Sequence, residues 1–123
     1  MIINLGMEKR NEILELSFEF AVDIIKFTES QEEQRKYVIA RQLLRSGTSI
    51  GANVRESQNC ESRADFVHKL KIAAKEADET EYWLLLCQHS AGYPFNPDLI
   101  TRLISIKKLL SSIISKMKSQ INT

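Results

Sequence analysis

The side chains best equipped for chemistry in this sequence stand between Arg41 and Ser57, in the run RQLLRSGTSIGANVRES. Arg41, Arg45 and Arg55 return to one side of a helical wheel, with the small residues Thr48 and Ala52 between them. A guanidinium donates two parallel hydrogen bonds to a phosphate, so a strip of this kind suits a nucleic-acid backbone. It suits equally well salt bridges to an acidic first helix, or to the acidic end of the third helix in a neighbouring subunit. The residues alone leave both readings open. No aromatic ring interleaves the arginines, so contact with RNA or DNA here follows backbone and shape with little base readout.

Other reactive groups point to less. His68 follows Asp65 by three residues, but the helical di-metal sites that use this spacing need two such motifs and two further glutamates, and His89 has Leu86 at the matching place. His68 therefore reads as an exposed or interface histidine. Glu76, Asp78, Glu79 and Glu81 form an acidic turn whose default is a solvated or ion-paired face. There is no nucleophile elbow, phosphate loop, dinucleotide fingerprint or zinc-spaced ligand set. We expect no enzyme, no metal, no cofactor and no small-molecule substrate.

Composition narrows the class further. A chain of 123 residues can bury a core without metals or disulfides, and it fits one domain. Cys60 and Cys87 lie far apart and outside any CxxC pattern, which reads as reduced thiols in a cytoplasmic protein. The opening MIINLGMEKR lacks a signal-peptide apolar region, and no apolar run approaches the length of a membrane span. The net charge is only +1, yet it is unevenly spread. Residues 1–33 and 76–98 each carry a net −5, residues 34–75 a net +6 and residues 99–123 a net +5. Either oppositely charged helices select their pairing register, or a basic face is left for a polyanion.

The elements that must position these groups read as four helices, over about 7–30, 33–58, 62–90 and 97–120, an all-α chain. In the first, Ile13, Leu16, Phe20, Ile24 and Phe27 form one row, and Leu14, Phe18, Ala21 and Ile25 form a second. Residues 29–34 read as a polar connection or the first turn of the next helix. On the second helix Gly47 and Gly51 fall among the core positions, despite a propensity cost of about 1 kcal/mol each. Their spacing invites close backbone approach, with Ala73 and Ala77 in the middle of the third helix as the expected partners. The third helix carries a seam at Phe66, Leu70, Ala73, Ala77, Thr80, Leu84, Cys87 and Ala91. A second apolar row, Ile72, Tyr82, Trp83 and Leu86, projects away from that seam. A helix of this kind in so short a chain predicts burial by another subunit; cover from the first helix or the termini is the alternative. Ser62, with Asp65 three residues later, should cap the third helix, and Asn96 and Pro97 should start the fourth, with its seam at Leu99, Leu103, Ile106, Leu110, Ile113 and Met117.

The strings SGTSIGAN and KEADETEYWL, with the SFEFA run at 17–21, resemble the bacterial four-helix proteins encoded in intervening sequences of 23S rRNA genes, a family related to the retroelement accessory variability proteins. The resemblance implies an antiparallel up-and-down four-helix bundle that assembles as a homopentamer. The family's name records gene location, so it carries no reaction; the retroelement branch works with a reverse transcriptase and nucleic acid. Matched by motif are Ser46, Gly47, Ser49, Gly51, Asn53 and Glu56 on the second helix and Glu76, Glu79, Tyr82 and Trp83 on the third. We read the polar members as an interhelical or intersubunit network.

Overall fold

Three short connections, each closed by local chemistry, cut the chain into α1 (Met7–Glu33), α2 (Tyr37–Ser57), α3 (Arg63–Gln88) and α4 (Pro97–Ile121). The computed structural model describes the backbone of residues 7–121 and the side chains of residues 12–120; the expectation about the opening residues lies mostly outside them. Among the described residues there is no strand, and no helix is long and apolar enough to cross a membrane.

α1 runs a turn further than its composition announces, because residues 29–33 contain no breaker and Gln31 is buried at the helix end. The Gln31 side-chain amide donates to the Cys87 thiol at 3.2 Å, tying the end of α1 to the end of α3. Burial pushes the Cys87 thiol pKa up, and this hydrogen bond partly offsets the shift. The turn after α1 closes with the Arg35 amide on the Glu32 carbonyl (2.9 Å) and the Lys36 amide on the Gln31 carbonyl (2.8 Å). These are the paired bonds of a Schellman cap, with Arg35 at φ 64° where glycine is usual. Ser62 caps α3 by accepting from the Asp65 amide at 3.1 Å, as the spacing predicts. Asn96 does the same for α4 through the Asp98 amide at 3.0 Å, with Pro97 at the first helical position.

Each helix packs on its chain neighbours, and α1 closes the ring against α4 less extensively. The result is an up-and-down bundle in which α1 and α3 stand diagonally. The α3 seam is buried from Phe66 through Cys87, and all six α4 seam residues are buried. Ala91 is an exception. It lies exposed beyond the end of α3, because the helix stops at Gln88. Fully burying side chains such as Phe20 or Leu103 contributes roughly 1.5–3 kcal/mol each, so tertiary packing rather than local propensity holds the helices.

Candidate functional site

The arginine strip divides once α2 is placed between α1 and α3. Arg45 reaches α3, donating to Glu76 at 3.0 Å and forming a second ion pair with Glu79. The hydrogen bond to Glu79, with smaller contributions from both carboxylates' charge, raises its pKa above the ordinary arginine value. This is an intrachain clamp, where the sequence had offered an acidic helix 1 or a neighbouring subunit as partner. Arg41 stays exposed on α2. Arg55 turns toward α1 and edges an open groove of about 630 Å³ between α1 and α2.

The polar motif residues separate into one interhelical link and several local ones. Ser46 and Thr80 are fully buried, and their hydroxyls share a 2.9 Å hydrogen bond across the α2–α3 contact. With its single O–H the Thr80 hydroxyl donates to the Glu76 carbonyl at 2.7 Å and accepts from Ser46, so the pair is satisfied without water. Ser49 donates to the Arg45 carbonyl, and Asn53 to the Ser49 carbonyl, both on their own helix. Glu56 accepts from Lys69 at 2.9 Å near the other end of the same contact. A single register therefore joins Arg45 to Glu76 and Glu79, Ser46 to Thr80, and Glu56 to Lys69.

Gly47 and Gly51 serve close packing, but against a different neighbour from the one their sequence suggests. A Cβ on Gly47 would lie 2.9 Å from Cγ2 of Ile24, and one on Gly51 would lie 3.1 Å from the Ser17 carbonyl oxygen, both on α1. Ala73 and Ala77 are fully buried in the α3 seam and are not among the atoms nearest to either missing Cβ. Ser46 points at α3, and the glycine after it is rotated by about 100° toward the opposite flank.

The second row of α3 is only partly outside. Tyr82 is 56 % exposed, whereas Ile72, Trp83 and Leu86 are half-buried. Trp83 packs on the core, with Tyr82 edge-on at 5.3 Å between ring centroids, and its indole N–H is buried with no hydrogen-bond partner among the described residues. Leu85, at 40 % exposed, extends this face and was not singled out from the sequence. A second apolar face lies on α1, where Phe18 is 65 % and Ile25 43 % exposed. Leu14, Ala21 and Gly51 join Phe18 in lining the α1–α2 groove. The spacing of these residues was visible; that the inner row would fill the core and leave them outside was not.

Among the described residues no group of three His, Cys, Asp or Glu side chains is placed to hold a metal ion, and both Asp65 and His68 are exposed. What the molecule offers is surface: two apolar faces on diagonal helices, and basic side chains of which only some have acidic partners. The α3–α4 seam shows both conditions. Lys107 of α4 sits between Asp78 (2.9 Å) and Glu81 (3.0 Å) of α3, and hydrogen bonding to Asp78 leads the increase in its pKa. Further along the seam Lys71 lies beside Lys118, whose proximity, with a smaller contribution from Lys75, lowers the Lys71 pKa.

No functionally curated protein matches the chain. A crystal structure of a protein of unknown function from the S23 ribosomal protein family of Bacteroides thetaiotaomicron VPI-5482 is 46% identical, with a TM-score of 0.78 over 87% of this chain and 98% of that one. The family model described as 23S rRNA-intervening sequence protein matches residues 9–115, across all four helices. The chain therefore belongs to the 23S rRNA-intervening sequence protein family.

Proposed function

We propose that this chain is a non-catalytic, self-assembling helical scaffold of the cytoplasm, a homopentamer that presents basic side chains to RNA, DNA or a nucleoprotein. The observation that carries the reading is the pair of exposed apolar faces on diagonal helices, Phe18 and Ile25 on α1 and Tyr82 and Leu85 on α3. Outer sides of diagonal helices point away from each other, so each copy offers one face to the copy before it and the other to the copy after. Such head-to-tail contacts are heterologous, and they close into a ring when the rotation per subunit permits. Arg41 and Arg55 are the members of the arginine strip left for a polyanion.

Light scattering on a sizing column tests the assembly. The wild type should run at several times its 14.1 kDa chain mass. Phe18→Glu and Tyr82→Glu should each give monomer, and mixing them should restore a dimer, since each keeps the face that the other has lost. A wild-type monomer at micromolar concentration would overturn the scaffold, and a dimer from either variant alone would replace the head-to-tail arrangement with an isologous one. Arg45 favours a second reading, a scaffold without a nucleic-acid role, because the centre of the strip is engaged within the chain. Absence of RNA and DNA binding at low salt would select it.

A further inference from the structure

The α3–α4 seam carries its charge in two unlike halves. In one half Lys107 is held by two carboxylates. Lys118 lies eleven residues beyond Lys107, and Lys71 seven residues before Asp78; both separations return to nearly the same helical face. The other half of the same seam therefore brings Lys71 and Lys118 together, with Lys75 one turn from Lys71. No ion pair among the described residues includes any of the three.

A shortage of acids does not explain this. Glu12, Glu15 and Glu19 stand exposed on α1, with no ion pair to a cation among the described residues. None of these carboxylates pairs with the three lysines, and the ammonium groups of Lys71, Lys75 and Lys118 gather together, although like charges in proximity oppose one another. The Lys71 pKa is lowered by its cationic neighbours, whereas that of Lys107 is raised by its acids. An anion with closely spaced charges would relieve the first arrangement and could only compete with the second.

We propose that Lys71, Lys75 and Lys118 form a phosphate-binding site for the backbone of a nucleic acid. The inference rests on the nucleic-acid reading above and moves its main contact from the arginine strip of α2 to the α3–α4 seam. Lysine ammonium groups are point charges on flexible stems, so the site grips phosphates and reads no bases. Lys107, one half-seam away, takes no part.

Fluorescence anisotropy with a short labelled RNA duplex, over a series of salt concentrations, tests this on the full chain. The triple variant Lys71→Ala, Lys75→Ala, Lys118→Ala should reduce the log–log salt slope by about 2 to 3 and weaken binding at least about tenfold. Lys107→Ala should leave the slope unchanged. These side chains lie on the surface, and an unchanged circular dichroism spectrum should accompany each variant. If the wild type binds and the lysine variant binds equally well while Arg41→Glu with Arg55→Glu abolishes binding, this site is overturned and the broader reading stands. If the wild type fails to bind RNA or DNA at low salt, both fall. Binding to phosphatidylserine vesicles without binding to RNA would likewise overturn a nucleic-acid backbone as the ligand.

Discussion

α2 meets its two neighbours by opposite means. Against α1 it withdraws side chains, so that Gly47 lies under Ile24 and Gly51 under the Ser17 carbonyl. Against α3 it extends polar ones, a buried hydroxyl pair at Ser46 and Thr80 and an ion-pair clamp from Arg45 to Glu76 and Glu79. At the two missing Cβ positions the first contact has no space to give. The second has a buried centre and a wet rim, and at the rim water can replace what a substitution removes. One helix thus has a flank sensitive to volume and a flank sensitive to polarity.

The largest effect should come from filling the α1 flank. Gly47→Leu or Gly51→Leu forces α1 and α2 apart, and unfolding in urea should show a loss of about 3 kcal/mol or more. Gly47→Ala is a finer probe. Its helix-propensity gain of about 1 kcal/mol opposes a clash with Ile24, which is β-branched, stiff and fully buried, so a net loss is expected. Combining it with Ile24→Ala should cost less than the sum of the single changes, because the new methyl enters the vacated space. Strict additivity would mean that the glycine is not held by Ile24.

On the α3 flank, Thr80→Val should cost about 1–2 kcal/mol, since it keeps the shape and leaves the buried Ser46 hydroxyl without its partner across the helices. Arg45→Ala should cost at most about 1 kcal/mol, because the guanidinium is half exposed and solvent screens the pair. A double-mutant cycle of Arg45 with Glu76 should give a coupling that shrinks with added salt. A salt-independent coupling, or one as large as the glycine effect, would erase the distinction between the flanks. The smallest expected change has the opposite sign. Arg35→Gly removes the strain of a left-handed arginine and should stabilise the bundle by up to about 1 kcal/mol, read as a higher urea midpoint.

The seams of α3 and α4 were legible because apolar spacing reports directly which side of a helix avoids water, and nearly every seam residue is buried. The starts of α3 at Ser62 and of α4 at Asn96 and Pro97 were legible because caps act within one turn. The end of α1 was less so. Its cap uses Arg35 instead of glycine, and Gln31 belongs to the helix because of a thiol distant in sequence. The glycines were recognisable as packing residues, yet their partner was misassigned. Periodicity fixes an angle on one helix; the handedness of the bundle decides which neighbour stands at that angle. The clamp on Arg45 had left a signal, since Arg45 and Glu79 lie equally far from Ser62 on opposite sides of an antiparallel turn.

By itself the sequence determined the number of helices, their core stripes and the family, because these depend on local spacing and on strings that survive without knowledge of contacts. Only the tertiary structure decided which arginine is engaged, which apolar row stays outside, and where lysines meet lysines. Those outcomes depend on how four rods are rotated against one another, and each rotation is set by the close packing of all the others.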